Sequence, residues 1–434
     1  MAEIEKGLPN EPDLKVEDVA VDTVVEDIKE EPKEVEVTET ADGGAEISFD
    51  PNAVEPVSSS HNQNLAELLD DTILDPLGSK LVEDYKDYRS SRKDWEDCYR
   101  NGLDLLGFKY ERRTEPFRGA SGVTHPVLSE AVTQFQAQAY KELLPSDGPV
   151  RTQILGVQTP QKQDQSNRIK DFMNYQIMDQ MKEYEPEFDQ MLFYLPLSGS
   201  TFKKVYYDDL LGRAVSKFIP ADDLVVPYSA TSLDDAEAVV HVIKMSENDL
   251  RKQQVSGFYK DVDLAQPAMQ TDDITKKEQE IEGVKQTKQD DIYTLLECHV
   301  NVDLEGFEDM GADGMPTGIK LPYVITVEEG SRQVLSIRRN YKEGDSKKTK
   351  TNYFVHFKFL PGLGFYGFGL IHMIGGLSRT ATSALRQLLD AGTLSNLPAG
   401  FKSRGIRVRD DAQPLQPGEF REWMLLVATY VISL

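Results

Sequence analysis

Residues 362–367 read Gly-Leu-Gly-Phe-Tyr-Gly, the G-x-G-x-x-G spacing that can cradle a pyrophosphate at the start of a helix. That fingerprint needs the helix to open on the glycines, with a second parallel strand and an acid about 20 residues further on. Here the acid at that distance, Asp390, falls inside the predicted helix itself, and Phe365 and Tyr366 would crowd a pyrophosphate. The motif therefore reads as a flexible hinge before a helix. Three acidic pairs, Asp208/Asp209, Asp222/Asp223 and Asp234/Asp235, have the chemistry of a two-metal site, but each falls beside a strand or at a turn, where aspartate supplies local caps. The six histidines show no HxxxH or HxH spacing, and no GxSxG, P-loop or HExxH motif occurs. No catalytic residue, metal ligand or cofactor is expected.

Cations cluster at Arg112/Arg113/Arg118, Arg338/Arg339, Lys347/Lys348/Lys350 and Lys402/Arg404/Arg407/Arg409. The last places four cations within eight residues of an otherwise acidic chain, so Lys402, Arg404, Arg407 and Arg409 are candidate contacts for nucleic acid or a partner, weighed against a merely solvated face.

The elements that must carry these residues follow from composition and period. The 434 residues have room for two to four domains and carry a net charge of −26. Residues 1–64 hold 18 acids against four lysines, five prolines and one aromatic, and so read as a disordered acidic arm. The remainder is apolar enough to bury a core. Nothing is net basic enough for a histone-like DNA neutraliser. Two distant cysteines, Cys98 and Cys298, argue against a disulfide scaffold and fit a reducing compartment. The longest apolar run, Trp423–Leu434, is shorter than the roughly 18–20 residues of a membrane span, and no secretory signal is read at the N-terminus; a soluble intracellular protein is expected.

Helical spacing predicts helices across Leu65–Leu106, stopped by Gly107, and from Thr124 as N-cap to Leu144. A short strand is predicted at RTQILGVQ and one long helix over Gln161–Gln190. From Ser198 the period changes to short β-branched and aromatic runs: TFKKVYYDD, RAVSKFIP, LVVPY and AVVHVIKM. Residues Glu247–Lys288, polar and rich in lysine and glutamine, read as a mobile helical hairpin or loop, followed by a second strand group ending in NYFVHFKFL. The fold class is α+β, a mixed body over 65–360. Residues 361–397 form a hinge and a long helix, in which Leu370, Ile374, Leu377, Leu385 and Leu388 make a narrow apolar seam of the kind that packs against copies of itself or a partner helix. Arg379 and Arg386, one heptad apart, share another face.

Three blocks carry a resemblance: FRGASGVTHPVLSEAVTQFQAQAYKELLP, IPADDLVVPYSATSLDDAEAVVHVIKM, and YFVHFKFLPGLGFYGFGLIHMIGGLSRTATSALRQLLDAGTLSNLPAGFKSRGIRVRDDAQPLQPGEFR. From about Leu65 to Arg421 the chain resembles the portal (head-to-tail connector) proteins of tailed bacteriophages, of the short-tailed-phage-like subgroup. The resemblance implies a homo-oligomeric ring, usually a dodecamer, at one capsid vertex of the virion, assembled in the host bacterial cytoplasm. Body 65–360 would be the wing, the helix over residues 369–394 a stem helix lining the channel, and residues 398–422 the start of the clip. Implied partners are the double-stranded DNA in the channel, the terminase large subunit, tail adaptors and capsid proteins, with no membrane. The family has no enzymatic site, since ATP hydrolysis belongs to terminase. An acidic body suits a channel in which DNA slides, because each neutralised phosphate adds affinity.

Family portals continue into a second stem helix, channel loop and crown, so the chain is expected to be truncated before them. Residues 423–434 are expected to be an out-of-frame tail. Read two bases later, codons compatible with WMLLVATYVISL spell Asp-Ala-Pro-Gly-Gly-Asp-Ile-Arg, which resembles the continuation of such portals after GEFR, and this places a frameshift near Phe420–Glu422. The alternatives are a metal-dependent nuclease using the acidic pairs and a head or tail scaffold protein without a channel.

Overall fold

The computed structural model describes residues 61–208, 211–266, 272–284, 292–311 and 315–396, together with the backbone of four short strands, 37–39, 45–47, 400–402 and 420–422. The chain divides into a unit Met1–Ser58 and a unit Ser59–Leu434. In the first, β1 (Val37–Glu39) and β2 (Ala45–Ile47) pair antiparallel. The rest of the expected acidic arm as far as residue 60, and the expected out-of-frame tail 423–434, lie outside the described residues.

The second unit is mixed α+β. Two helices, α1 (Asp71–Ser91) and α2 (Lys93–Leu103), occupy the stretch whose apolar residues recur at helical spacing. They meet at Arg92, whose side chain is buried and bonded to distant carbonyls. Gly107 adopts the left-handed conformation (φ 72°) that ends the turn after α2, as its position predicts. Beyond it come α3 (Val127–Leu143), α4 (Pro160–Tyr175), a π-helical turn Gln176–Gln180 and α5 (Tyr184–Ser198). The helix expected over Gln161–Gln190 is thus broken at Met181–Glu183. Its two halves have different tasks: α4 buries no residue, whereas α5 buries Phe188, Met191, Leu192 and Leu197. RTQILGVQ forms no strand; Leu155 and Val157 are exposed, and Asn174 bonds the Val150 backbone on both its N–H and its C=O.

Next come β3 (Ser200–Asp208), β4 (Arg213–Pro220), β5 (Leu224–Val225), β6 (Ala238–Ser246), α6 (Glu247–Val255), α7 (Asp273–Glu282), β7 (Ile292–Val302), β8 (Leu321–Glu328), β9 (Val334–Arg339) and β10 (Phe354–Lys358). The unit continues with α8 (Leu370–Asn396), β11 (Gly400–Lys402) and β12 (Phe420–Glu422). One antiparallel sheet has the order β5-β6-β7-β8-β9, another the order β10-β3-β4. NYFVHFKFL therefore does not continue the second strand group. It joins β3, with His356 opposite Phe202, because Phe202, Phe354 and Phe365 share one buried cluster with Leu224 and Val239 of the larger sheet.

The larger sheet is covered on one face by α1, through Leu74, Leu81, Val82 and Tyr85, which recur at helical spacing and pack against Val240, Leu296, Ile325 and Ile337. Helix and sheet approach closely at Gly78, where a Cβ would stand 2.1 Å from the Arg332 carbonyl oxygen. The opposite face holds Leu250, Tyr259, Tyr293, Leu295 and Leu335. Edge strand β9 is closed by Asn64. Its amide donates to the Leu335 carbonyl (3.1 Å), and its oxygen accepts from the N–H groups of Ile337 (3.0 Å) and Ala66 (3.1 Å). Residues His61–Asn64, assigned by composition to the disordered arm, are accordingly ordered, because the unpaired edge supplies partners that composition does not reveal.

The segment expected as a mobile helical hairpin or loop does carry two helices, and the correction is that both are anchored in the body. Helix α7 buries Ile274 among Tyr99, Leu103, Leu128, Leu197 and Ile371, and α6 buries Leu250. Among the described residues, no helix is long and apolar enough to cross a membrane.

Candidate functional site

The longest helix, α8, has 27 residues and a length of about 40 Å at 1.5 Å per residue. Its start is fixed by glycine. Gly199, at φ 89°, lets the end of α5 pass so close to the start of α8 that a Cβ there would lie 2.4 Å from the Gly369 nitrogen. The preceding GLGFYG loop is anchored and is not a flexible hinge. Phe365 stacks on Phe202 (centroids 5.9 Å apart) and Tyr366 on Trp95 (4.8 Å). The Gly367 N–H donates to the Ser200 hydroxyl at 2.7 Å. The tip, Leu363–Gly364, projects into solvent. Gly362 and Gly367 serve chain packing, since a Cβ there would lie 2.3 Å from the Tyr366 carbonyl oxygen and 2.4 Å from that of Gly199, while Gly364 borders open space.

One face of α8 belongs to the chain's own core: Ile371, Gly375, Ser378 and Thr382 are buried. Ile371 fills the space that a side chain at Gly102 of α2 would need. The residues of the expected seam differ in exposure within the chain. Leu370 and Ile374 are half-buried against the Tyr99–Leu128–Leu197 cluster, because the first turns of α8 are held to α2 and α5. Leu385 is half-buried, while Leu377 is 70% and Leu388 71% exposed. Met373, at 54% exposure, extends the exposed portion. At about 100° per residue, Met373, Leu377, Ala384 and Leu388 lie within a narrow stripe roughly opposite the buried face. This apolar stripe has no covering element within the described residues.

The loop 107–126 straps α8. The Arg386 guanidinium donates to the Val123 carbonyl (2.7 Å), the Thr124 hydroxyl (3.2 Å) and Glu111 (3.0 Å). The His125 N–H donates to Thr382 (3.0 Å) and the Ser121 N–H to Asp390 (2.7 Å). Thr124, read as a helix cap, thus serves Arg386 instead, and Pro126 occupies the N-cap of α3. Arg379 and Arg386 line one cleft of about 730 Å³ together with Arg113 of the loop.

The remaining candidates are scattered. Asp222 and Asp223 precede β5, Asp234/Asp235 lie in a separate turn, and Asp209 is outside the described residues. Sequence reasoning missed Glu278, which α7 brings toward Asp222 and Asp223. Burial, then the charges of those two aspartates, push the Glu278 carboxyl up to about 8. Burial and Asp222 push Asp223 up to about 7. Among the described residues, no group of three or more His, Cys, Asp or Glu side chains is placed to hold a metal ion.

His241 and His299 instead face Glu297 inside the body. Arg338 and Arg339 bond the backbone of Asn62 and His61, Lys348 pairs with Asp309, and Lys350 donates to the carbonyls of Leu233 and Ala236. Those four side chains thus engage the chain's own backbone and carboxylates. The side chains of Lys402, Arg404, Arg407 and Arg409 lie outside the described residues. No protein-family profile matches the chain, and no curated protein matches it.

Proposed function

We propose that this chain is a portal subunit: a ring-forming, non-enzymatic conduit for double-stranded DNA at a phage capsid vertex, docking terminase and tail adaptors. The strongest support is the two-faced long helix. One face of α8 is rooted in the α+β body, while the opposite stripe, Met373–Leu377–Leu388, is apolar and uncovered. Isolated apolar side chains on a surface are ordinary, but a stripe along one helix is the form that packs against further helices. In a ring, each subunit would supply the same stripe to its neighbour, and closure would leave no stripe exposed. The resemblance of the blocks that include this helix and its preceding loop points the same way, as does the net charge of −26, which lets DNA slide without general affinity for its phosphates and leaves a few cations for local contact.

The test is imaging of the purified chain by negative stain, with sedimentation to size it. Rings of about twelve subunits support the reading. A monodisperse monomer at all concentrations, or reproducible Mg²⁺- or Mn²⁺-dependent DNA cleavage lost in Asp222→Ala, overturns it.

A further inference from the structure

We propose that the cleft between the 107–126 loop and α8 seats a phosphate group, through Arg113 and Arg379. The cleft, about 730 Å³, is lined from the loop by Arg113 and from the helix by Arg379, Ser383, Arg386 and Gln387. Its acids already have partners. Glu111 accepts from Arg386 at 3.0 Å, Asp390 from the Ser121 N–H at 2.7 Å, and Asp104 from Lys277 at 2.7 Å. Arg379, by contrast, is exposed and has neither a hydrogen bond nor an ion pair among the described residues. Arg113 is half-buried and makes only a long bond, 3.4 Å, to the Ser121 carbonyl. Two guanidiniums from two different elements therefore border one cleft with donors to spare.

Chemistry selects the ligand. Guanidinium forks match phosphate oxygens in pairs, and the Ser383 hydroxyl and Gln387 amide add neutral donors on the same side of the helix. A carboxylate has two oxygens to offer, whereas a phosphate offers three or four and can engage both arginines and the neutral donors together. The geometry is pre-set, because Arg386, Thr382 and Asp390 tie the loop to the helix at three points. The volume leaves room for whatever carries the phosphate, either a segment of duplex backbone or a free nucleotide.

The experiment uses the full chain. Inorganic pyrophosphate is titrated calorimetrically into the wild type, R113Q/R379Q and R112Q/R118Q. The control pair removes the same charge from loop arginines that do not line this cleft. The expected result is binding weakened about tenfold or more in R379Q, the loss of one charge-assisted bond, about a hundredfold or more in R113Q/R379Q, the loss of two, and unchanged in the control. R379Q alone alters an exposed, unbonded side chain, and so keeps the readout if the double variant folds poorly. A short fluorescent DNA duplex and ATP are then competed with pyrophosphate. Displacement by the duplex alone identifies the phosphate as backbone, and displacement by ATP alone as a free nucleotide. No pyrophosphate binding, or equal weakening in both double variants, overturns the proposal. Neither result depends on whether the chain forms rings.

Discussion

Lys204 of β3 and Glu297 of β7 join the two sheets, the ammonium lying 2.7 and 2.5 Å from the two carboxylate oxygens with both side chains largely buried. His299 adds a 2.7 Å bond to the same carboxylate. Burial would raise the Glu297 carboxyl, yet Lys204 and His299 together hold it well below the usual carboxylate range. Breaking such a pair leaves an uncompensated buried charge. Glu297→Leu and Lys204→Met are each expected to cost about 3–5 kcal/mol in urea unfolding, whereas Lys204→Met/Glu297→Leu together recover most of that. Additive losses in the double variant would refute the coupling.

Arg92 is expected to be a second point of fragility. Buried at the α1–α2 junction, it donates to the carbonyls of Ala221 (2.9 Å), Leu224 (2.7 Å) and Asp222, to the Tyr366 hydroxyl (2.8 Å), and to Glu96 (2.8 Å). Three carbonyls of one turn are satisfied by one fork, which an ammonium cannot reproduce. Arg92→Lys is predicted to lose about 2–4 kcal/mol, as several bonds to a charged group are lost or lengthened. A midpoint in denaturant indistinguishable from the wild type would contradict this.

The two faces of α8 should separate folding from assembly. Leu377→Asp and Leu388→Asp, at exposed positions, are predicted to change monomer stability by no more than about 0.5 kcal/mol while reducing oligomer size in sedimentation. Ile371→Asp, on the buried face, should unfold the chain. Loss of stability in Leu377→Asp equal to that in Ile371→Asp would remove the distinction.

Docking of α7 is predicted to weaken with rising pH. The Glu278 carboxyl is raised in the folded chain from 4.5 to about 8 by burial and by Asp222 and Asp223, against the opposing pull of Lys244. A folded-state value above the unfolded one means that the native state binds the extra proton. The stabilisation is complete below about pH 4.5 and lost as pH climbs through 8. Glu278→Gln should flatten this dependence, read as amide exchange protection at Ile274 across the neutral and mildly alkaline range. Identical pH profiles for the wild type and Glu278→Gln would rule out this assignment.

At the acid end, burial lowers His241 to about 3. A base whose folded value falls below its ordinary 6.5 must take up a proton on unfolding, so stability falls as pH drops from 6.5 towards 3. His241→Phe, placing a ring that cannot titrate beside Phe354, should reduce that acid sensitivity in thermal melts; an unchanged slope would exclude His241 as the source.

Much of this architecture is legible in the residues themselves. The α+β class, the helix beginning at Leu370, the stop at Gly107 and the strand at AVVHVIKM follow from the 3.6-residue period, from runs of β-branched residues and from glycine's tolerance of positive φ. These are local properties, set by neighbours along the chain. Pairings between distant segments follow different physics. NYFVHFKFL reads as a strand, but nothing in it names β3, about 150 residues earlier, as its partner. That choice is made by Phe202, Phe354 and Phe365 burying one another. Likewise the polar stretch around α7 looks solvated until Ile274 enters a cluster drawn from four other helices and turns, and Asn64 looks like linker until β9 presents an open edge.

The seam of α8 shows the division most plainly. The spacing of its leucines is enough to establish that an amphipathic helix of this length exists. Which of those leucines stay uncovered is settled only when the chain folds. Leu370 and Ile374 are drawn into the core because Gly199 and Gly369 bring the helix start against α5, and Leu377 and Leu388 remain outside because the body covers the opposite face. Periodicity places a side chain on a face. Which face meets a neighbour depends on the close approach of backbones far apart in the chain, and that is set by packing in three dimensions.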